Sequence, residues 1–384
     1  LEQSNPGGEL AEALAQLGRM RVLAGHGEDA AAPLERALTL AERLQLPEVF
    51  VQALSSKAVV LLNQGRLAEA RILLEAAAVR AHSEQLYASA LRAENNLAEV
   101  LEASDSHVEV LELFDRSIAL ARRRGNRRME SMLRTGSLVH LCLLGRWDEA
   151  LTISAEEEPL VASEISRNSM LAVALIHCER GDLDAAGALL TAAETLRDSD
   201  NWQVRARYAD VEARLLRAHG HHAEALASAE RALATRRELA ITQPHIKTAL
   251  IEATEAALAL PDLDKAEELL AIPESLDPGE RTPFLHASTA RLRARLDAAR
   301  GNHEHVEERF STATSLFREF GLAFHLAVTQ LDHAEWLTAQ GRAGEAEPLL
   351  AEARQTFERL QAPPWLERTA QATRRRHEPE VAIS

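Results

Sequence analysis

The stretch NQGRLAEARILLEAA, residues 63–77, returns in altered form three more times: AGHGEDAAAPLERAL at 24–38, LLGRWDEALTISAEE at 143–157 and AQGRAGEAEPLLAEA at 339–353. Aligned on its glycine, the pattern extends to nine units. Their anchors are Gly25, Gly65, Asp105, Gly145, Gly181, Gly220, Pro261, Gly301 and Gly341, spaced 40, 40, 40, 36, 39, 41, 40 and 40 residues apart. Five residues after each anchor stand Ala30, Ala70, Val110, Ala150, Ala186, Ala225, Ala266, Val306 and Ala346. That is seven alanines in nine, where 70 in 384 residues would give fewer than two by chance. Seven before the anchor the residues are mostly small, as at Gly18, Ala58, Ala98 and Ala174, and nine after it mostly large and apolar, as at Leu34, Leu74, Phe114 and Leu350.

Each column has a physical reading. A glycine at the anchor ends a helix, because it takes the left-handed conformation without a Cβ penalty. Acidic residues such as Asp148, Asp182 and Asp184 then suit the start of the next helix, where the dipole favours negative charge. Small residues on both sides let two antiparallel helices touch. Leu67, Ala70, Leu74 and Ala77 recur at helical spacing. Each unit is therefore expected to be a helical hairpin, and one hairpin buries its apolar face only by stacking on the next. The spacing predicts an all-α solenoid of about nine stacked hairpins. It spans residues 1–376 as a single solenoid, with a capping helix from Trp365 to Arg376 and a frayed tail at 377–384. The prolines at 273, 278 and 283 predict a long loop from Ile272 to Thr282.

Composition narrows the function classes. Forty-three Lys and Arg stand against 59 Asp and Glu, a formal charge of −16. That balance opposes a nucleic-acid sheath and an anionic membrane surface. No run of 18 apolar residues is present to span a bilayer. Leu1 is not Met and no signal-peptide pattern follows, so the chain reads as a piece of something longer, expected in the cytoplasm. Two cysteines, Cys142 and Cys178, fit a reducing compartment. They sit at the same position of adjacent units. Packed helices are about 8–10 Å apart and a disulfide needs Cα atoms within about 7 Å, so two free thiols are expected.

Chemical motifs are missing: no phosphate loop, no dinucleotide glycine pattern, no H-E-x-x-H, C-x-x-C or G-x-S-x-G. The histidine clusters His219, His221, His222 and His303, His305 fall on turns, where polar residues are expected without a metal. The run ARRRGNRR at 121–128 coincides with a helix end, where cations suit the dipole. Neither a catalytic residue nor a cofactor or metal is expected.

The anchor glycine, the Ala five later, the bulky residue nine later and the Ala-Leu pair twelve and thirteen later (Ala37-Leu38, Ala232-Leu233) resemble the tetratricopeptide-repeat family over about residues 10–360. The period near forty exceeds that family's thirty-four, and its aromatic positions are mostly Leu or Ala here. The stretch 317–368, FREFGLAFHLAVTQLDHAEWLTAQGRAGEAEPLLAEARQTFERLQAPPWLER, is similar to the C-terminal regions of large bacterial regulators of the LuxR-type and STAND ATPase classes and of cyclase or kinase fusions. The resemblance implies that the hairpins wind into a right-handed α-α superhelix, a non-catalytic interaction or sensor solenoid. Its first helices would line a concave groove at positions thirteen, ten, six, three and two before the anchor. Carried over, these are Arg92, Asn95, Glu99 and Glu102 in the third unit, and Arg207, Asp210, Arg214 and Arg217 in the sixth. The eighth contributes Ser288, Arg291 and Arg295. The fourth contributes Met132, Thr135, Val139, Cys142 and Leu143, and the fifth Asn168, Leu171, Leu175, Cys178 and Glu179. The candidate partner-binding residues are Arg92, Asn95, Arg207, Asp210, Arg214, Arg217, Arg291 and Arg295. They would receive a protein or peptide partner or a small effector, an acidic one if the arginines are free, unless the arginines pair with carboxylates of neighbouring units. On the first of those readings, reversing Arg214 and Arg291 to Glu should weaken binding and leave helicity intact. An enzyme or small-ligand domain using the same scaffold is the alternative.

Overall fold

The computed structural model describes residues 7–156, 164–237 and 240–377; of residues 164–168, 237 and 375–377 the backbone alone is described. Among these residues there are nineteen α-helices and no strand. The first helices of the nine hairpins are α1 (Gly8–Leu23), α3 (Pro47–Asn63), α5 (Tyr87–Ala103), α7 (Arg127–Leu143), α9 (Glu164–Arg180), α11 (Trp202–Ala218), α13 (Pro244–Ala259), α15 (Pro283–Ala299) and α17 (Ala323–Ala339). Their partners are α2 (Gly27–Arg43), α4 (Leu67–Ser83), α6 (His107–Arg123), α8 (Trp147–Glu156), α10 (Leu183–Ala192), α12 (His222–Leu233), α14 (Leu263–Glu274), α16 (Val306–Glu319) and α18 (Ala343–Leu360). The helix α19 (Pro363–His377) ends the described chain. It begins two residues before the capping helix expected at Trp365, because proline suits the first turn of a helix. The tail expected to fray at 377–384 lies outside the described residues apart from His377.

All nine anchors adopt the left-handed backbone, the two that are not glycine included: φ is 63° at Asp105 and 30° at Pro261. The residue five later is 0% exposed in all nine hairpins. A methyl on Gly18 would lie 2.5 Å from the Leu34 side chain, which shows how closely the paired helices approach. The repeat also has a half-beat that the glycines alone do not reveal. Gln45, Gln85, Gly125, Gly321 and Gln361 each stand twenty residues after an anchor and are left-handed too, ending the second helix as the anchor ends the first. In the middle hairpins α8, α10, α12 and α14 shorten to 10–12 residues, and 3₁₀ turns follow at Glu194–Leu196, Ala234–Arg237 and Pro278–Glu280. The loop expected over Ile272–Thr282 therefore starts late: α14 runs through Pro273 to Glu274. A proline in the last turn removes a single backbone hydrogen bond at an end that was about to fray.

Pro261 is the least comfortable anchor, since its ring favours φ near −65°. Pro261→Gly should stabilise the protein by about 1–3 kcal/mol, the usual range for relieving one such residue. Chemical denaturation of the two proteins side by side measures it, and a loss of stability would show the ring to be accommodated.

The chain forms two compact units: residues 1–134 with 237–242, and residues 135–236 with 243–384. In the first, Leu61, Leu74, Leu97, Leu101, Val110 and Phe114 build a core across successive hairpins. The basic run at 121–128 sits where α6 gives way to α7, with Arg122 held by Glu130 at 2.7 Å and Arg124 lying over the Tyr87 ring. In the second unit the hairpins close on themselves. Trp147 at the start of α8 packs on Phe324 of α17 with ring centroids 5.4 Å apart. Arg180 Nε donates to the Leu360 carbonyl at 3.1 Å, and Trp365 Nε1 donates to Glu179 Oε2 at 3.0 Å. Gly181 faces Pro364 so closely that a Cβ there would lie 2.7 Å from its ring.

Candidate functional site

The first helices of the second unit carry charges that alternate in sign. Glu179 on α9 accepts from Arg214 Nη1 of α11 at 2.9 Å. Arg214 Nη2 reaches Glu252 of α13 at 2.8 Å, and Arg217 Nε donates to the same carboxylate at 2.7 Å. Glu255, also on α13, accepts from Arg291 and Arg295 of α15. Arg291 Nη1 continues to Asp332 of α17 at 2.7 Å, and Arg368 of α19 completes the row at 2.6 Å from Asp332. Trp365, three residues before Arg368, donates back to Glu179, so the row is circular.

Most of these groups are buried: Arg214 is 8%, Arg291 5%, Glu252 3% and Asp332 4% exposed. Burial works against the Glu252 charge, but Arg214 and Arg217 outweigh it and hold the carboxyl below the usual range. The same balance, struck by Arg295, Arg368 and Arg291, holds Asp332 low. Four of the candidate arginines, Arg214, Arg217, Arg291 and Arg295, thus pair with carboxylates of neighbouring units, the second of the two readings that their positions left open. Reversing Arg214 and Arg291 to Glu would set acid against acid inside the unit, so the double substitution would cost stability as well as binding and is no clean test of a ligand site.

A cavity of about 60 Å³ lies beside this row, inside the second unit. Its apolar wall comes from Val139 and Leu143 of α7, Trp147, Leu171 and Leu175 of α9, and Phe324. Its polar side comes from Glu179, Arg207, Asp210, Arg214, His245, Thr248 and His325. Nine of the groove positions carried over from three consecutive units meet here: Val139, Cys142 and Leu143, then Leu171, Leu175 and Glu179, then Arg207, Asp210 and Arg214; Met132, Thr135 and Cys178 do not line it. Arg217, Arg291 and Arg295 belong to the adjoining charge row. Arg92 and Asn95 lie half-buried on α5 in the first unit, where burial and the Arg19 charge lower the Arg92 pKa.

Hydrogen bonds define the polar side. Thr248 Oγ1 donates to Asp210 Oδ2 at 2.7 Å, while Asp210 Oδ1 and Arg214 Nε are buried without a partner. Arg207 Nε donates to His245 Nε2 at 2.7 Å, which places the single ring proton of neutral His245 on Nδ1. Burial and the Arg207 and Lys247 charges hold His245 well below its usual pKa. His325, set edge-on to Phe284 at 5.0 Å, is pushed down to about 3 by burial and by Arg214 and Arg291. Burial pushes the Asp210 carboxyl up to about 7 against the opposing pull of Arg214 and the Thr248 hydrogen bond. It also pushes the thiols of Cys142 and Cys178 up to about 12. Both cysteines are free, as their spacing predicts. Among the described residues no group of three His, Cys, Asp or Glu is placed to hold a metal ion.

Asp210 makes a pH prediction whose sign follows from its raised pKa. Between about pH 4 and 7 the folded state keeps a proton that the unfolded chain has released. The stability that this proton contributes is complete below pH 4 and is lost as pH rises through 7, at up to about 1.4 kcal/mol per pH unit. Asp210→Asn, uncharged throughout, should therefore gain on the natural protein as pH goes from 5 to 8 in parallel denaturation curves. A constant difference would show that the carboxyl is already ionised at pH 5.

No family model matches the chain, and no curated protein matches it. Similar solved structures include a Rap protein complexed with competence and sporulation factor, 13% identical with a TM-score of 0.46, the likeness covering 96% of this chain and 97% of that one. Another is yeast Tom70, 14% identical with a TM-score of 0.33, covering 95% of this chain and 90% of that one.

Reading the sequence alone misses several residues of this site. Thr248 stands thirteen before Pro261, a groove position hidden by the weakest anchor. His245 and His325 share a column sixteen before their anchors. The alternating row has a signature as well: six before the last four anchors stand Arg214, Glu255, Arg295 and Glu335. A second cleft of about 420 Å³ lies between the end of α14, α15 and α16. Its Arg293 is tied to Glu267 and Glu274, and its Arg309 to Asp297.

Proposed function

We propose that this chain is a non-catalytic interaction and sensor solenoid of tetratricopeptide type. In this reading it is part of a larger cytoplasmic bacterial signalling or transcription regulator and works as one array over residues 1–376. Its first helices hold a partner segment or small effector, and the occupant biases a flanking module. One observation carries the reading. The groove positions of consecutive hairpins converge on a cavity with an apolar wall and two buried polar atoms, Asp210 Oδ1 and Arg214 Nε, left without partners. Among the described residues no helix is long and apolar enough to cross a membrane.

The test is a displayed random-peptide library panned on the natural protein, beside a melting-temperature screen of small metabolites. Enriched segments or stabilising metabolites should lose their effect on Leu175→Trp, which fills the cavity from its apolar wall. If neither screen finds a ligand, or if the ligands found ignore Leu175→Trp, the reading fails.

An enzyme on the same scaffold keeps one observation in its favour, the raised pKa of Asp210 beside a cavity. The carboxylates of the charge row, Glu252, Glu255 and Asp332, are held low instead, and they are committed to arginines. A catalytic Asp210 would lose turnover but keep binding when changed to Asn; a binding residue would change affinity alone.

A further inference from the structure

The turn that joins α6 to α7 carries five exposed arginines, Arg122, Arg123, Arg124, Arg127 and Arg128, in a chain whose formal charge is −16. Helix dipoles explain only part of this. Arg122, Arg123 and Arg124 close α6, where cations suit the exposed carbonyls. Arg127 and Arg128 open α7, where the dipole disfavours them. Among the nineteen described helices, α7 alone has Lys or Arg in its first two positions. The backbone of the turn asks for no such charge. Gly125 takes φ 69°, and Asn126 Oδ1 accepts from the Met129 amide at 3.1 Å, as a helix cap does.

Neighbouring side chains do not neutralise the turn. Glu130 holds Arg122. Arg124 lies over Tyr87, its guanidinium carbon 3.4 Å from the ring centroid, and a stacked guanidinium still donates in its own plane. Among the described residues Arg123, Arg127 and Arg128 enter no ion pair. Exposed arginines elsewhere do, as in Arg66–Glu69, Arg318–Glu352 and Arg354–Glu358. The excess charge is also local. The same columns of the two preceding turns hold Glu42, Arg43 and Glu48, then His82 and Glu84. A nucleic acid or an anionic membrane would extend across those turns and meet their carboxylates. A short anionic run meets the arginines alone.

We propose that the α6–α7 turn docks a short run of anionic side chains on a partner protein. The forks of Arg123, Arg127 and Arg128 receive the anions, either carboxylates or phosphates on hydroxyl side chains, since both match a guanidinium. The surface lies outside the groove positions of α7, which start at Met132, and does not depend on what the groove holds.

Fluorescence anisotropy with two short labelled peptides tests this on the natural protein, one peptide bearing a run of Glu and the other adjacent phosphoserines. At least one should bind, with half-saturation on the order of 10–100 μM in ~50 mM salt and about tenfold more weakly in ~500 mM. The tighter of the two identifies the anion. Arg123→Gln, Arg127→Gln and Arg128→Gln together should weaken binding about tenfold or more. The melting temperature of that variant should hold or rise, because the α7 dipole is relieved. Arg66→Gln, Arg318→Gln and Arg354→Gln together remove the same charge from paired sites and should change binding by less than about twofold. Failure of both peptides to bind, binding that survives the first variant, or equal losses in both variants would overturn the inference. Tighter binding of duplex DNA or phosphatidylserine vesicles than of either peptide would overturn it too. So would a lower melting temperature in the first variant, which would assign these arginines to the fold.

Discussion

Arg291→Met will destabilise the second unit by about 3–5 kcal/mol, the range for breaking a buried ion pair from one side. Arg291 is 5% exposed and joins Glu255 on α13 to Asp332 on α17. Methionine keeps much of its volume, so packing changes little. What is lost is the charge that lets two buried carboxylates stay ionised. Arg295 and Arg368 remain as partial partners, which sets the lower end of the range. Exposed pairs such as Arg66–Glu69, at 2.6 Å, contribute far less because water already screens them. Urea unfolding at neutral pH measures the difference. A change below 1 kcal/mol would mean that the alternating row is wet and does not bind the hairpins together. The row loses strength in acid as well: the carboxyls of Glu252 and Asp332 are held low, so the stability they contribute is present above their usual pKa and lost as pH falls through the lowered values.

Trp365→Ala is the second large effect, expected at about 3–5 kcal/mol, as for a large aromatic cut from a packed site. Trp365 stacks on Phe357 with centroids 5.6 Å apart, meets the edge of Phe324 at 5.3 Å and donates to Glu179 across 186 residues of chain. Removing it opens the aromatic cluster and strips one oxygen of a buried carboxylate of its donor. Trp365→Phe separates the two contributions, because it keeps most of the ring contact and drops the hydrogen bond. Guanidinium unfolding of both variants reads the split. An alanine variant as stable as the natural protein would show that α19 does not seal the unit.

Much of the fold was legible because hairpin repeats write the same physical demand into the same column. A left-handed helix end asks for glycine, and a close helix contact asks for alanine. Hence the anchors and the buried column, from Ala30 to Ala346, were readable even where Asp105 and Pro261 broke the pattern. The half-beat was not, because Gln45, Gln85 and Gln361 hold the left-handed turn without being glycine. Of the groove positions that the family resemblance gives for hairpins four to six, nine line one cavity and others, such as Thr135, Cys178 and Arg217, do not. Their state was not legible: whether Arg214 and Arg291 stand free depends on Glu252 and Asp332, nine before their own anchors on other helices. The return of α19 to α9 leaves no periodic trace, since Trp365, Pro364, Glu179 and Gly181 are single residues meeting once. The sequence signal for such a contact is a mismatch, an aromatic or proline where the repeat does not need one.

Closure of the second unit by the return of its last helix is the central claim, and a double-mutant cycle between Gly181→Ala and Pro364→Ala tests it most directly. Gly181 and Gly220 have nearly the same backbone, φ 78° and 79°, but a Cβ at 181 meets Pro364 at 2.7 Å and one at 220 meets nothing within 4 Å. Gly220→Ala therefore measures the left-handed penalty alone. Gly181→Ala should cost more, and Pro364→Ala should relieve the excess, giving a coupling of about 1 kcal/mol or more. Equal losses at 181 and 220, with no coupling to Pro364, would mean that the last helix does not return to the fifth hairpin and that the second unit is not closed.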